Sequence, residues 1–374
     1  MRDAKQHDYV REGIEFYQRL PLIPPQQVFS ELEEFGYRGQ EEARRSLSLM
    51  AYRHVKRLKK IYQEGLPRHD LPLKSNYLLI GPTGCGKTHL VELLFKTILK
   101  IPTVIVDMTE FSETGYVGDD TRTILTRLMT MANQNPVVAS GGIVCLDEFD
   151  KLASGQNSAR FDGQGTTKDV SGMGVQRELL KIMEAAEVMV PTDFNNTVFS
   201  PRQALYTGDI SFIAAGAFSG FKLTITARSK EPRIGFDAPN RIVDRSTIAV
   251  RFEDAEVGDI ENFQHHGFLP ELLGRFTRIV PLPPLDRDTL SSILRENVVK
   301  RFIAEFHDEG LELVIEAPVF EHIIDVALKR QTGARGLSAI LTQYIEDLAY
   351  KTFREYSGRV RLRMDGHQVV HEIG

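Results

Sequence analysis

The sequence has few cysteines and no long apolar run, and these absences exclude several classes of protein. Its two cysteines, Cys85 and Cys145, lie far apart and form no CxxC pair, so neither a zinc site nor a disulfide framework is expected. This usage suits a reducing compartment. No apolar stretch approaches the roughly 20 residues that a membrane helix requires, and the first residues lack the apolar core of a signal peptide. We therefore expect a soluble, cytoplasmic protein without a membrane partner.

An excess of positive charge is also missing. Lysine and arginine number 46 against 51 aspartates and glutamates, which gives a net charge of −5. Proteins that live on bulk DNA or RNA are usually basic, so we expect no nucleic-acid partner. The run Arg53–Lys60 is a local exception, and we interpret it as a solvated helix face in preference to a nucleic-acid patch.

The length and the order of the apolar segments indicate an α/β protein with more than one domain. A chain of 374 residues is too long for one small core, so two domains are the natural expectation. Short apolar runs alternate with helical stretches near 87–99, 121–132 and 174–186, which is typical of a parallel sheet between helices. The candidate buried strands are Tyr77–Ile80, Thr103–Val106, Ile143–Leu146 and Ile210–Ala215.

A proline cluster at 281–284 separates this region from a C-terminal part of different character. Beyond it the sequence predicts helices at 286–306, 318–330 and 336–356, and then a closing pair of strands near 360–364 and 368–372. With the proline cluster as a hinge, the expected organisation is a charged leader at 1–24, a large α/β domain at 25–283 and a small, mainly helical domain at 284–374.

The strongest motif is a glycine-rich loop between a predicted strand and a predicted helix, the context that the P-loop (Walker A) pattern GxxxxGK[ST] demands. Its glycines let successive backbone N–H groups surround phosphate oxygens, and the helix N-terminus adds positive potential. Lys87 would bring a mobile charge to the β- and γ-phosphates of ATP, and Thr88 would offer its hydroxyl to Mg²⁺. The predicted ATP-binding residues of this loop are Gly81, Pro82, Thr83, Gly84, Cys85, Gly86, Lys87 and Thr88.

Two adjacent carboxylates follow the apolar strand at 143–146. Asp147 would hold Mg²⁺ through water, and Glu148 would polarise the attacking water, because phosphoryl transfer depends on positioning and charge stabilisation. The two acids could instead cap a helix. The P-loop upstream favours the catalytic interpretation, and the two motifs together predict an ATPase.

Further short motifs are spread along the chain: Gly-Tyr-Val-Gly at 115–118, Leu-Asp-Glu-Phe-Asp-Lys at 146–151, the segment 169–176, Leu-Leu-Gly-Arg at 272–275 and Gly-Ala-Arg-Gly-Leu at 333–337. In this order, over about 25–364, they resemble the ClpX-type unfoldases, ring-forming members of the AAA+ superfamily. The related HslU type carries a large insertion where this sequence has the short loop 154–168, and it lacks the Ile-Gly-Phe tripeptide found here. Both differences favour the ClpX type.

The resemblance implies a substrate-gripping role for two loops. Tyr116 and Val117 match the first pore loop of the family, and Thr167–Val170 resembles the second more weakly. An aromatic and a branched side chain between two glycines would give an exposed apolar tip on a mobile backbone, which suits gripping any polypeptide. From the residues alone, a tyrosine packed under a turn remains equally open.

Two arginines gain roles from the resemblance. Arg275 matches the arginine finger, which reaches the γ-phosphate bound by a neighbouring subunit. Arg335 matches the sensor-2 arginine, and an anion such as ATP phosphate would offset the unfavourable position of a cation in the first turn of a helix. Without the resemblance, a surface salt bridge would be the better interpretation of either residue.

The tripeptide Ile234, Gly235 and Phe236 matches the loop through which ClpX-type subunits dock on the ClpP peptidase. Two large apolar side chains in a charged, proline-marked segment are poorly placed for a core and well placed to fill a pocket on a partner. A fragment of a strand is the alternative.

The sequence departs from the ClpX pattern at several places. It contains no four-cysteine zinc segment, and the Arg-Lys-His loop near the pore entrance has no counterpart at 195–203. Tyr37 could stack on the adenine base, but Arg38 replaces an apolar residue beside it. The sensor-1 position near Ala215 shows no obvious polar side chain. Recognition of the usual ClpX tags is therefore not expected from this sequence.

The resemblance implies an AAA+ nucleotide-binding domain followed by a small helical domain, with ATP at their junction. It implies a homo-oligomer, by resemblance a hexamer, which would use ATP and Mg²⁺ to thread protein substrates through a pore into a ClpP-type peptidase. A remodelling chaperone without a peptidase, and a nucleic-acid motor, remain as alternatives. A scaffold that does not hydrolyse ATP fits poorly with the intact Lys87, Asp147, Glu148 and Arg275.

Overall fold

The computed structural model describes residues 2–111, 121–153, 172–184, 186–191, 201–222, 224–225, 252 and 254–374. Within these ranges the strands are β1 Tyr77–Ile80, β2 Thr103–Asp107, β3 Ile143–Asp147, β4 Glu187–Pro191, β5 Arg202–Tyr206, β6 Ser211–Gly216, β7 Arg278–Pro281, β8 Leu311–Ile315, β9 Gly358–Asp365 and β10 Gln368–Ile373. None of the helices described spans enough apolar residues to cross a bilayer.

The helices surround the strands in chain order. They are α1 Arg2–Arg19, α2 Pro25–Glu34, α3 Glu41–Tyr62, α4 Lys87–Val91, α5 Arg122–Met131, α6 Pro136–Ser140, α7 Gly172–Met183, α8 Asp254–Gly258, α9 Ile260–His266, α10 Pro270–Leu273, α11 Arg287–Ile293, α12 Val299–Asp308, α13 Ala317–Arg330 and α14 Gly333–Thr352. The π-helical turns Glu92–Ile98 and Leu294–Val298 extend α4 and α11.

A five-stranded parallel sheet forms the centre of the large α/β part, in the order β2-β3-β6-β1-β7. All four strands predicted from apolar runs belong to it. The fifth, β7, was not predicted because it is short and ends in the proline cluster at 281–284. The α/β class expected from the sequence is confirmed.

Both faces of this sheet are buried, which explains why its strands are apolar throughout and do not alternate with polar residues. Leu78 and Ile80 of β1 face one core, together with Val144 and Leu146 of β3. Leu79 of the same β1 strand belongs to the core on the opposite face. The parallel strands all point the same way, so their carboxyl ends meet at one edge, where the P-loop follows β1 and the two carboxylates end β3.

Residues 1–24, expected to be a charged leader, contain α1. Tyr17 on this helix is fully buried, stacks on Tyr62 of α3 with ring centroids 4.4 Å apart, and donates a hydrogen bond to Val137 O at 2.7 Å. The helix therefore packs on the large α/β part.

The region after the proline cluster has a core of its own. Helices α11–α14 pack with a three-stranded sheet in the order β10-β9-β8, in which β9 pairs with β10 antiparallel and with β8 parallel. The predicted closing strands are thus present. The parallel partner β8 was missed, because Leu311–Ile315 is a short run between two helices.

Candidate functional site

A cavity of about 390 Å³ opens between the carboxyl ends of the central strands and the C-terminal helices. Every side chain that the sequence assigned to nucleotide chemistry, except Arg275, lies on it or beside it. The predicted residues on its lining are Tyr37, Thr83, Gly84, Cys85, Gly86, Lys87, Thr88, Asp147, Glu148 and Arg335. Gly81 and Pro82 precede them in the loop and accept hydrogen bonds from Lys87.

The P-loop depends on two glycines with backbone angles that other residues rarely adopt. Gly84 has φ +77° and Gly86 has φ +97°. A Cβ atom on Gly84 would lie 2.4 Å from the Thr332 carbonyl oxygen, so only glycine permits the C-terminal segment to approach the loop this closely. The amide of Ala334 donates a hydrogen bond to Gly84 O at 3.0 Å and fixes that approach.

Lys87 begins α4 and is almost fully buried. Its Nζ atom donates to the carbonyl oxygens of Gly81, at 2.6 Å, and Pro82, at 3.0 Å. The ammonium group is therefore held back against its own loop. It must leave these two carbonyls to reach the phosphates of a bound nucleotide.

Thr88 and Asp147 form a direct pair across the site. The Thr88 hydroxyl donates to Asp147 Oδ2 at 2.7 Å, which joins the first turn of α4 to the end of β3. The other carboxylate oxygen, Oδ1, accepts the amide of Glu148 at 2.9 Å. Both are oxygen donors of the kind that Mg²⁺ prefers, so this pair fits the predicted metal position.

Glu148 leaves the strand in a left-handed backbone conformation, with φ +52°, a strained geometry typical of active-site residues. Its pKa is raised, chiefly by burial and next by the negative charge of Asp150. Asp150 is fully buried, and its Oδ1 accepts the amide of Ala217 at 3.1 Å at the end of β6. A raised pKa makes the Glu148 carboxylate a better proton acceptor.

The sensor-1 position beyond β6 is occupied by backbone and not by a polar side chain, as the sequence suggested. Gly216 and Ala217 line the cavity. The Gly216 backbone passes so close to Asp150 that a Cβ atom would lie 2.7 Å from its Oδ1. The contact with Asp150 thus ties the end of β6 to the strand that carries Glu148.

Tyr37 lines the end of the cavity that we call the base end, because the sequence predicts that this side chain stacks on adenine. It is buried, its hydroxyl donates to Gly86 O at 3.3 Å, and burial raises its pKa. Its ring lies nearly parallel to that of His89, with centroids 6.0 Å apart. His89 follows Thr88 in α4, and its pKa is lowered by burial. The two rings place an aromatic wall where a nucleotide base could stack.

Arg38, the departure from an apolar residue, makes contacts that an apolar side chain could not make. Its guanidinium forms an ion pair with Glu296 in the π-helical turn after α11, with Nε 3.0 Å from Oε2. Beside it, Asn297 Nδ2 donates to Gly36 O at 2.7 Å. The segment before α3 is thereby joined to the C-terminal helices next to the base end of the cavity.

The two predicted arginines occupy different places. Arg335, in the first turn of α14, lines the cavity, and in the described part of the chain no carboxylate lies within 4.0 Å of it. Arg275 lies outside the cavity, just after α10, where its Nη2 is 2.6 Å from Glu184 Oε1 and its side chain is 43% exposed. Arg335 is placed for a nucleotide of its own chain, and Arg275 is not.

Some predicted residues lie outside the described ranges. They are Tyr116, Val117, Ile234, Gly235 and Phe236, together with the segment 167–170. Three residues that line the cavity were not predicted from the sequence: His89, Asn297 and Arg301. No motif marks them. His89 directly follows the P-loop motif and could have been considered, whereas the other two become neighbours of the site only through the packing of the C-terminal helices.

The parallel sheet, the P-loop after β1, the paired carboxylates after β3 and the helical part that closes the cavity define a P-loop ATPase of the AAA+ class. The family described as "AAA domain (Cdc48 subfamily)" matches residues 73–279. The family described as "C-terminal, D2-small domain, of ClpB protein" matches residues 285–355.

Similarity to individual proteins narrows this class. The chain is 35% identical over 335 residues to the ATP-dependent Clp protease ATP-binding subunit ClpX of Bacteroides thetaiotaomicron, covering 87% of this chain and 77% of that protein. It is 37% identical over 330 residues to ClpX 3 of Methylococcus capsulatus, with 85% and 74% covered. For ClpX of Porphyromonas gingivalis the identity is 36% over 320 residues, with 83% and 74% covered. The chain belongs to the ClpX family of AAA+ ATPases.

Proposed function

We propose that this chain is the ATPase subunit of a homo-oligomeric ring that unfolds proteins and threads them through its pore. The observation that carries the proposal is the position of Arg275. All the other predicted nucleotide-site residues converge on one cavity, whereas Arg275 lies outside it with a half-exposed side chain. If it is the arginine finger, it can act only on a nucleotide bound by another subunit, which requires a ring.

The residues of the cavity divide the chemistry among them. Lys87 moves from its two carbonyl acceptors to the phosphates, and Arg335 adds a second positive charge from α14. Thr88 and Asp147 would hold Mg²⁺, which would neutralise charge on the phosphate oxygens. Glu148 accepts a proton from the attacking water, helped by its raised pKa. Tyr37 contacts the base.

Coupling to mechanical work follows from the location of the cavity. We place the domain boundary near Pro283, with ATP between the large part at 25–283 and the small part at 284–374. Gln40 Nε2 donates to both Pro283 O, at 2.7 Å, and Cys85 O, at 3.3 Å, so hinge and P-loop share one side chain. A change in the phosphates bound at the P-loop would therefore alter the Gln40 contact with Pro283 at the hinge, and this would rotate the small domain.

The remaining parts of the proposal rest on the family resemblance. Tyr116 and Val117 would grip the substrate in the pore, and Ile234, Gly235 and Phe236 would dock a ClpP-type peptidase. By the same resemblance, the ring is a hexamer. A cytoplasmic location is consistent with the two isolated thiols, Cys85 and Cys145, both of them buried.

The test is an unfolding assay. Its substrate is a fluorescent protein of low stability that carries no recognition tag. With ATP, the chain should remove the fluorescence, and with a ClpP-type peptidase it should also release peptides. The Glu148→Gln variant is the matched control, because it should bind ATP and still do neither. Loss of fluorescence without peptide release would point to a remodelling chaperone. ATPase activity stimulated by DNA and not by unfolded protein would contradict the proposal.

A further inference from the structure

A second cavity, which we call the basic cleft, lies at the other end of the central sheet from the nucleotide cavity. Its volume is about 440 Å³. Helix α3 lines it with Arg53, Lys56, Arg57 and Lys60, and the segment before β1 adds Lys74. Among the described residues, no carboxylate contributes to its lining. Five cationic side chains thus converge on one concave surface to which no function has been assigned above.

Lys74 is a half-buried cation on the lining of the cleft. Its Nζ atom donates to Thr207 O at 3.0 Å, and within the described ranges no carboxylate lies within 4.0 Å of it. Burial lowers its pKa to about 8, Arg57 and Arg275 add to the shift, and Asp209 opposes it. Its ammonium group also lies 5.1 Å from the centre of the Phe212 ring. A half-buried ammonium group whose neighbours are one carbonyl and one aromatic face would be stabilised further by an anion.

The nearest buried carboxylate is already shared. Asp209 is fully buried, and its two oxygens contact Arg57, at 3.5 Å, and Arg68, at 2.8 Å. One negative charge therefore faces three positive charges when Lys74 is included. His54 adds none, because burial lowers its pKa to about 4 and its ring nitrogens are bonded to Gly141 O and Ser211 Oγ.

The basic run at 53–60 is therefore more than a uniformly solvated helix face. Lys59, on the same helix, turns away and donates to Tyr17 O and Gln18 O at 3.0 and 3.2 Å. In contrast, Arg53, Lys56 and Lys60 point to the basic cleft, and no described carboxylate pairs with any of them. Their positive charges and that of Lys74 lie on the lining of the same cleft.

We propose that the basic cleft binds a phosphate-bearing small molecule at a site separate from the ATP site. A concave cleft of this size suits a small ligand better than an extended nucleic-acid strand. The lysine ammonium groups act as point charges that match the oxygens of phosphate groups. Leu71 and Leu73 give the cleft an apolar side for the rest of such a ligand, and Leu73 is 90% exposed.

The two sites are separated by the length of β1. Lys74 precedes this strand and the P-loop follows it, so its four residues place them at least about 13 Å apart. Each site can therefore be filled without the other. The expected stoichiometry is two phosphate-bearing ligands per chain.

Inorganic tripolyphosphate is the probe, titrated by calorimetry into the full chain carrying Lys87→Ala, which weakens the P-loop site. One saturable site should remain. Adding Lys56→Glu and Lys60→Glu should weaken it by at least about tenfold, since two attractive charges become repulsive. The matched control Lys300→Glu with Lys329→Glu makes the same charge change on α12 and α13, away from the cleft, and should leave the affinity within about twofold.

The Lys74→Met variant distinguishes an effect on ligand binding from an effect on the stability of the fold. This change should also weaken tripolyphosphate binding by about tenfold, yet leave the melting temperature unchanged or higher, because it removes a half-buried charge that has no described carboxylate within 4.0 Å. The proposal is overturned if the Lys87→Ala chain shows no saturable binding, or if both pairs of lysine substitutions weaken binding equally. It is also overturned if an octaglutamate peptide binds the cleft more tightly than tripolyphosphate, since the natural ligand would then be an acidic protein segment.

Discussion

The ion pair between Arg38 and Glu296 should tune the affinity for ATP, because it joins the two parts of the chain beside the base end of the cavity. The partners are partly exposed, with 23% and 42% of their side-chain surface accessible. A pair of this kind contributes about 1 kcal/mol. Breaking it with Arg38→Met should therefore raise the dissociation constant of ATP by about fivefold, since 1.4 kcal/mol corresponds to a factor of ten.

The assay is a double-mutant cycle on the affinity for a fluorescent ATP analogue. Arg38→Met, Glu296→Gln and the combined variant should each weaken binding to a similar extent, because removal of either partner already breaks the pair. The maximal ATPase rate should change little, since neither side chain is among those assigned to the phosphates. The exchanged pair, Arg38→Glu with Glu296→Arg, should recover part of the affinity. If the two single effects simply add in the combined variant, the pair does not couple the two parts and the reasoning fails.

Three further predictions concern hydrolysis, subunit cooperation and the peptidase. Glu148→Gln should retain ATP binding and reduce turnover, measured by phosphate release, by about 100-fold or more. Lys87→Ala should instead weaken ATP binding. Near-normal turnover of the Glu148→Gln variant would contradict the role proposed for Glu148. Mixing Arg275→Ala with Glu148→Gln subunits should restore some ATPase activity if the finger acts on a neighbour; mixed rings that assemble and stay inactive would contradict this. Phe236→Ala should abolish degradation with ClpP while ATPase activity and unfolding remain near normal. Loss of ATPase activity would instead indicate that the segment stabilises the fold and does not dock the peptidase.

The chemistry of the phosphate end was predictable because the reaction needs neighbouring residues in a fixed local geometry. The loop at 81–88 must turn with successive amides inward, and Asp147 and Glu148 must follow a buried strand directly. Such requirements leave a short, contiguous pattern in the sequence. The central sheet was predictable for a related reason, since strands buried on both faces are apolar throughout.

The base end of the cavity and the basic cleft were not predictable in this way. Arg38 and Glu296 are 258 positions apart, and neither belongs to a motif. Lys74 and Lys60 reach the same cleft only because the end of α3 lies beside the segment that enters β1. A pattern along one helix identifies the basic run, but only the tertiary packing distinguishes Lys59, which turns back to α1, from Lys60, which does not.

From the contacts around the nucleotide cavity, we expect ATP binding to be coupled to the orientation of the small part. Ala334 reaches the P-loop at Gly84, Arg38 contacts Glu296, and Asn297 contacts Gly36, so at least three links among the described residues connect the two parts around a single site. None of them can keep its geometry if the small part rotates as a rigid body. A nucleotide that bridged the same walls would therefore add to these links when it binds and remove that addition when it departs. Since one of the three is a partly exposed ion pair of modest strength, we expect a bound nucleotide to add substantially to the tie between the two parts, and its hydrolysis to free them to move.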